Sequence, residues 1–316
     1  MNKIQKACLT LVALFSTAAL AQYPDHAITA IVPFPPGGSV DPIARAIQSS
    51  MQTELAVPFV IENTPGAGGT IGTGKVARAA LDGYTLGITT VGPLTTQPHM
   101  MKLAYGIDDF EYICRTHVTP QVLAVPIDSP YKTLKDLVDD ARKNPGKMVF
   151  ASTGTGSLPH LATVEFGEVA GFEWVHVPTK GDGEASTLVL SGDITGWVAG
   201  VQTVSRLSTR LLALGVLEPE RIPSMPDVPT FREQGFEVVS AGWGGMIAPK
   251  GTPADVIDKL SRSCEQAVKT PAFEAILKTL MIPQGYLPAS QFSGFVRNEY
   301  ARYGRLIEAT SAKTRK

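Results

Sequence analysis

Cysteine and histidine are scarce in this chain, which has three cysteines and five histidines in 316 residues. The histidines are scattered, and no group of Cys and His has the spacing of a metal site. We therefore expect neither a metal nor another cofactor. Charge of one sign is also lacking, because 28 basic side chains nearly balance 29 acidic ones. Nothing in this composition suggests nucleic acid as a partner.

Long hydrophobic runs and low-complexity segments are absent beyond residue 21. Within residues 1–21, Lys3 and Lys6 precede a short apolar segment, and Ala19-Leu20-Ala21 has the small-x-small pattern of a cleavage site. The apolar segment is shorter than the roughly 20 residues that span a bilayer. We therefore expect a cleaved signal peptide and export to the periplasm. The remaining chain has 26 basic and 29 acidic side chains, a formal charge of −3.

Two cysteines follow the predicted signal peptide, Cys114 and Cys264. An oxidising compartment permits a disulfide between them. Both lie among apolar neighbours, however, where a free cysteine behaves as a small buried hydrophobic residue. The sequence favours two free cysteines and leaves the disulfide as the alternative.

Residues 28–45 combine a strand, a turn and the start of a helix. Residues 28–32 form a short apolar run, and the prolines and glycines of 33–38 require a turn. Asp41 is a plausible helix cap, with Pro42 in the first helical turn. Such an arrangement brings backbone N–H groups and the positive end of a helix dipole to the carboxyl edge of a sheet. The segment is therefore a potential anion site.

The order of strand, glycine-rich or polar loop, and helix recurs along the chain. It predicts an α/β fold with parallel strands, right-handed crossovers and loops gathered at one edge of each sheet. Further strands are predicted at 59–62, 84–88, 110–115, 122–126, 148–151, 174–178, 192–198, 211–216 and 243–249. Further helices are predicted at 71–79, 134–143, 160–166, 254–269, 272–280 and 289–311. The second α/β unit, at about 125–240, repeats the architecture of the first.

Short motifs occur at these loops along nearly the whole chain beyond residue 22. They are Tyr23-Pro24, Val32-Pro33-Phe34, Gly37-Gly38, Asp41, Glu62-Asn63, Pro65-Gly66-Ala67-Gly68-Gly69, Gly72, Asp82-Gly83-Tyr84, Pro145-Gly146-Lys147, Ala151-Ser152, Gly154, His160-Leu161, His176-Val177-Pro178, Lys180-Gly181, Pro226-Asp227-Val228-Pro229-Thr230, Ala248-Pro249 and Gly251-Thr252-Pro253. Their order and spacing resemble those of the Bug-type periplasmic receptors of tripartite tricarboxylate transporters. The resemblance implies a two-lobed, type II-like periplasmic binding protein fold, each lobe a mainly parallel sheet flanked by helices.

The resemblance also implies where the lobes lie and which loops bind the ligand. Lobe one would comprise residues 22–124 and 243–316, and lobe two residues 125–242. In the family, the first two glycine loops of lobe one hold a ligand carboxylate through backbone N–H groups, and lobe two closes over the other end. The candidate ligand-binding residues are Phe34, Gly37, Gly38, Ser39, Gly66, Ala67, Gly68 and Thr90 in lobe one, and Ser152, Gly154, Thr155, Ser157, His160 and Lys180 in lobe two.

Several of these residues have alternative roles. Ser39 could cap a helix, His160 could pack a helix, and Lys180 could be a solvated lysine. Lobe two also departs from the family, with Thr179 where a Tyr is usual and Thr195 where an Asp is usual. The ligand therefore stays open among citrate, dicarboxylates, acidic amino acids and aromatic acids.

The function predicted from the resemblance is that of a non-enzymatic, monomeric receptor that delivers a small carboxylate to a membrane permease. One alternative is a receptor that signals to a membrane sensor. Another is a secreted serine hydrolase that uses Ser157 or Ser152 with His160. No G-x-S-x-G motif supports the hydrolase, so the sequence favours the receptor.

Overall fold

The structure is a computed structural model that describes residues 23–38 and 40–314. The predicted signal peptide and Ser39 lie outside the described residues. The strands are β1 (Ile28–Val32), β2 (Phe59–Asn63), β3 (Thr85–Thr90), β4 (Phe110–Pro126), β5 (Met148–Ser152), β6 (Trp174–Pro178), β7 (Gly196–Gly200), β8 (Leu211–Val216), β9 (Ala241–Pro249) and β10 (Gln284–Pro288). The helices are α1 (Val40–Leu55), α2 (Thr70–Ala77), α3 (Gln97–Met100), α4 (Leu134–Lys143), α5 (Leu158–Ala170), α6 (Asp182–Ser191), α7 (Val201–Arg206), α8 (Ala254–Val268), α9 (Pro271–Thr279) and α10 (Ala289–Thr314).

The strands form a mixed sheet in the order β2-β1-β3-β9-β4-β7-β5-β6, with β8 and β10 also paired to β4. The pairs of β1 with β2 and β3, and of β5 with β6 and β7, are parallel. The pairs made by β4 and β9 are antiparallel. The α/β fold is confirmed, and its sheet is parallel towards both ends and antiparallel in the middle.

Strand β4 connects two groups of strands. Its residues from Phe110 to Pro120 pair with β9, and its residues from Gln121 to Pro126 pair with β7 and β8. The sequence predicted two strands here, 110–115 and 122–126, and this prediction was wrong. Polar residues interrupt the apolar pattern between them, but the backbone continues to pair with β9. The lobe boundaries expected from the sequence stay a prediction.

The first α/β unit shows how the core holds the loops in place. β1 is an almost wholly buried parallel strand, and α1 buries Ile43, Ile47 and Met51, which recur at helical spacing. Fully burying one such side chain contributes about 1.5–3 kcal/mol to folding. The turn between β1 and α1 is therefore fixed at both ends by buried structure. None of the helices in the described part of the chain is long and apolar enough to cross a membrane.

Cys114 and Cys264 form a disulfide, which corrects the expectation of two free cysteines. Cys114 lies in β4 and Cys264 in α8, and both are fully buried. Helix α8 packs on β4 and brings the two Cα atoms to 6.6 Å, within the range that a disulfide can bridge. The sequence could not show this contact, because the two residues are 150 positions apart.

Candidate ligand-binding cleft

A cavity of about 640 Å³ lies where loops from both groups of strands meet β4 and β9. Its wall includes Thr90 from the end of β3, Thr153 from the loop after β5, and Gly200 from the end of β7. Carboxyl ends of parallel strands are the usual ligand edge of an open α/β sheet. Thr90 is one of the candidate residues identified from the sequence.

The first turns of four helices also line this cavity. Val40 opens α1, Leu158 opens α5, Asp182 opens α6, and Gln202 lies in the first turn of α7. The backbone N–H groups of a first turn have no partner inside the helix, and they carry the positive end of the helix dipole. An anion in the cavity would meet several such helix ends at once.

A polar stripe on β4 forms the floor of the cavity, and sequence reasoning missed it. His117, Thr119 and Gln121 alternate along the strand and line the cavity. His117 and Thr119 lie opposite two glycines of β9, Gly244 and Gly242. The sequence contains this pattern, as alternate polar residues in β4 and alternate glycines in β9. The pattern can be recognised only when the pairing of the two strands is known.

His117 and Gln121 are both buried polar side chains. His117 is bonded through its Nδ1 to Thr116 Oγ1 at 2.9 Å. Burial, together with the charge of Arg115, lowers the pKa of His117 to about 4, so the imidazole is neutral at pH 7. Gln121 is only 6% exposed, and its Oε1 has no hydrogen-bond partner within the described residues. A buried amide oxygen left unpaired costs about 1–3 kcal/mol, which a bound hydrogen-bond donor would recover.

Charge inside the cavity is sparse and acidic. Within the described part of the chain, no lysine or arginine lines it, and Asp182 is its one acidic side chain. Nor do the described residues contain a group of three or more acidic, His or Cys side chains that could hold a metal ion. Donors for an anion therefore have to come from backbone N–H groups, hydroxyls and amides.

The first glycine loop is organised by Asp41. Gly37 N–H donates to Asp41 Oδ2 at 3.1 Å, and Asn63 Nδ2 donates to Asp41 Oδ1 at 3.2 Å. Gly38 N–H donates to Pro35 O at 3.3 Å, so both candidate glycines use their N–H groups within the loop. Asp41 thus holds the loop to β2 from within the first turn of α1, which begins at Val40, and not from the helix cap position that the sequence predicted. The half-buried Phe34 does not line the cavity in this conformation.

The second glycine loop has a backbone that favours glycine. Gly66, Ala67 and Gly68 have φ values of 134°, 44° and 62°. Gly68 O accepts a hydrogen bond from Gln97 Nε2 at 2.9 Å, which ties the loop to α3. These three residues do not line the cavity as it stands, so their contact with a ligand stays a prediction.

The lobe-two candidates include a closed hydrogen-bond network. Ser152 Oγ donates to Gly154 O at 2.9 Å and lies 2.7 Å from His176 Nε2, and Ser152 is fully buried. His160 Nδ1 accepts from Gly156 N–H at 3.0 Å, and the His160 ring stacks on that of His176 with centroids 3.9 Å apart. Burial and the neighbouring His176 lower the pKa of His160 to about 4.

The remaining lobe-two candidates are not brought together. Thr155 and Lys180 are exposed, and Lys180 N–H donates to Glu184 at 2.8 Å. The Ser157 hydroxyl is buried without a partner within the described residues. None of the lobe-two candidates lines the cavity, so their role in binding stays a prediction. The serine–histidine contact of the fold joins Ser152 to His176, not Ser157 to His160.

A mixed α/β sheet with a cleft between two sets of loops is the architecture of a solute-binding protein. Residues 43–312 match the family model described as the tripartite tricarboxylate transporter family receptor, TctC. The chain belongs to this family. Its resemblance to Bug-type receptors is also confirmed, because Protein BugT of Bordetella pertussis is 34% identical over 92% of this chain and 91% of its own length.

Known relatives cover nearly all of the chain. A Pseudomonas sp. (strain P51) protein, named for the tcbD-tcbE intergenic region, is 36% identical over 91% of this chain and 87% of its own length. The structure of a TctC solute-binding protein from Polaromonas, with no ligand, is 27% identical and has a TM-score of 0.85 over 91% of this chain and 99% of its own.

Two ligand-bound solved structures are also similar. MatC from Rhodopseudomonas palustris with bound malate is 27% identical, with a TM-score of 0.68 over 90% of this chain and 100% of its own. The R. palustris protein Rpa4515 with adipate is 26% identical, with a TM-score of 0.71 over 90% of this chain and 97% of its own.

Proposed function

We propose that this chain is a monomeric periplasmic receptor that binds a small carboxylate and delivers it to the membrane permease of a tripartite tricarboxylate transporter. The observation that carries the proposal is the cavity itself, because the first turns of four helices meet there without a basic side chain among the described lining residues. Such a site stabilises a carboxylate through backbone N–H groups and helix dipoles. Malate and adipate, bound by the two relatives, are both carboxylic acids.

The binding step would close two lobes, 22–124 with 243–316 and 125–242, around the ligand. The TM-score supports closure, because it is 0.85 for the relative with no ligand and 0.68 and 0.71 for the relatives with malate and adipate. We infer that the arrangement here corresponds to the unliganded form. A ligand that contacts both lobes would shift the population towards the closed form.

Closure would also bring the candidate residues that do not line the cavity into contact with the ligand. Glycine loops 37–38 and 66–68 do not line the cavity in this conformation, and loop 152–157 lines it through Thr153 but through none of its candidate residues. We infer that they reach the ligand only when the lobes approach. The Ser157 hydroxyl, which has no partner within the described residues, would then be available to the ligand.

The test is a thermal-shift screen of carboxylic acids followed by small-angle scattering. An acid at about 100 times its Kd should add roughly 2.7 kcal/mol to the free energy of unfolding, and it should reduce the radius of gyration. Neutral sugars of similar size are the control. If sugars stabilise the protein and no acid does, the proposal of a carboxylate ligand is refuted. If an acid binds tightly and the radius of gyration does not change, closure is refuted. Delivery is tested separately, by co-purification with the permease subunits.

A further inference from the structure

We propose that the ligand of this cleft is an acid that also carries a protonated amine, and that Asp182 binds that amine. The inference rests on the proposed function and narrows its ligand class. It separates this chain from receptors for simple dicarboxylates.

The charge of the cavity wall is the first reason. Asp182 lines the cavity, and no lysine or arginine does so within the described residues. The histidine on the wall, His117, is uncharged at neutral pH because burial lowers its pKa to about 4. A second ligand carboxylate placed near Asp182 would meet a like charge, whereas an ammonium group would meet an opposite one.

The neighbours of Asp182 provide the second reason. Thr203 donates its hydroxyl proton to Asp182 Oδ2 at 3.2 Å, and Thr203 also lines the cavity. Gly200, at the end of β7, is paired with Gln121 in β4. The nearly buried Gln121 side chain also lines the cavity, and its amide oxygen has no partner among the described residues. An ammonium has three donors, so it can serve a carboxylate oxygen and an amide oxygen together.

A role for Asp182 only in stabilising the start of its own helix explains fewer of these observations. An acidic residue in the first turn of a helix is favourable because it faces the positive end of the dipole. In α6, however, Glu184 already lies in that turn and accepts the backbone N–H of Lys180 at 2.8 Å. Glu184 does not line the cavity. The helix start is thus served by Glu184, and Asp182 is the acid that faces the ligand space.

The experiment is calorimetric titration with matched acids that differ only in the amine. Pairs such as succinate with aspartate, glutarate with glutamate, and butyrate with 4-aminobutyrate are measured for wild type, Asp182→Asn and Glu184→Gln. We expect the amine-bearing member of the bound pair to bind about 10- to 100-fold more tightly, as a charge-assisted hydrogen bond allows. Asp182→Asn should remove most of that ratio, and Glu184→Gln, which removes the same charge from the same turn, should keep it.

The outcomes separate the two proposals. If an acid without the amine binds to wild type as tightly as the amine-bearing member of its pair, the proposal of an amine-bearing ligand is refuted, and the proposal of a carboxylate receptor stands. If malate, which has a hydroxyl instead, matches aspartate, the site binds a neutral donor and the amine is again refuted. If Asp182→Asn keeps the wild-type ratio, Asp182 is not the partner of the amine. If no acid of either kind binds, the proposed function fails with it.

Discussion

Arg302 in α10 forms a bidentate ion pair with Glu165 in α5. The contact joins the C-terminal helix to a helix that packs with strands β5 and β7. Arg302 Nε lies 2.9 Å from Glu165 Oε1, and its second nitrogen contacts the other oxygen. Arg302 Nη1 also lies 3.0 Å from Glu299 Oε1. Arg302 and Glu165 are each only 18% exposed in their side chains. This partly buried contact is one of the points where the two halves of the fold are tied together.

We expect Arg302→Met to lower the free energy of unfolding by about 2–4 kcal/mol, because it leaves two partly buried carboxylates without their cation. The matched control is Arg297→Met on the same helix, whose partner Asp108 is 75% exposed and whose loss should cost at most about 1 kcal/mol. Urea unfolding measures both. Adding Glu165→Gln to Arg302→Met should restore part of the loss, and equal effects of the two arginine variants would contradict the prediction.

The disulfide between Cys114 and Cys264 should contribute substantially to stability. It links two residues separated by 150 positions, so it restricts the unfolded chain strongly. We expect the Cys114→Ala/Cys264→Ala variant to unfold with a free energy lower by about 2–5 kcal/mol. A reducing agent should destabilise wild type and leave that variant unaffected. Equal sensitivity of the two proteins to the reductant would show that the bond is not formed in solution.

The Asp41 carboxylate should stabilise the first glycine loop in a pH-dependent way. Burial opposes its charge, but hydrogen bonds from Arg45, Gly37 and Asn63 outweigh burial and hold its pKa below the ordinary value of 3.8. Because the folded pKa is lowered, the stabilisation is fully present above the unfolded pKa and is lost as pH falls through the folded one.

We therefore expect Asp41→Asn to cost about 1–3 kcal/mol at pH 7 and less at pH 3, where the pH is below the unfolded pKa and wild type has begun to lose the same stabilisation. Urea unfolding of both proteins at the two pH values measures this difference. Asp109→Asn is a useful control, because that carboxylate caps an exposed turn by accepting Gly106 N–H at 2.8 Å. A cost for Asp41→Asn that is unchanged at pH 3 would mean that shape, and not charge, is what the loop needs.

Elements that depend mainly on residues close to them in the sequence could be predicted from the local pattern of residues. The run at 28–32 and the helix at 134–143 were predicted with the bounds that the structure has. The capping box of that helix, in which Thr133 and Asp136 bond to each other's backbone, is readable from four residues. Strand β10 was missed, because Gln284–Pro288 has neither an apolar run nor alternation.

The floor of the cavity could not be predicted, because it depends on pairing between distant strands. Thr116 and His117 lie beyond the predicted strand at 110–115, yet they belong to β4, because its partner strand β9 comes from residues more than 120 positions away. The same long-range contact decides which polar residues face a ligand. The sequence identified loops at the edge of the sheet and only Thr90 among the residues that now line the cavity.

Gly244 is the residue that makes room for the His117 ring. A Cβ atom built on Gly244 would lie 2.3 Å from His117 Cε1, which real structures do not allow. Both residues are in the paired strands β4 and β9, so neither backbone can move away without breaking the sheet. Gly244→Ala should therefore push the imidazole into the cavity, cost about 1–3 kcal/mol of stability, and weaken ligand binding.

A double-mutant cycle isolates this contact. In a His117→Ala background the ring is gone, so adding Gly244→Ala should cost little, and the coupling free energy should be about 0.5–3 kcal/mol. Gly294→Ala is the matched glycine control, since its Cβ would meet no atom within 4 Å in helix α10, and it should stabilise the fold by about 0.5–1 kcal/mol. Urea unfolding gives the stabilities and calorimetry gives the affinities. The same cost of Gly244→Ala in both backgrounds would show that the glycine serves the strand itself and not the histidine beneath the ligand.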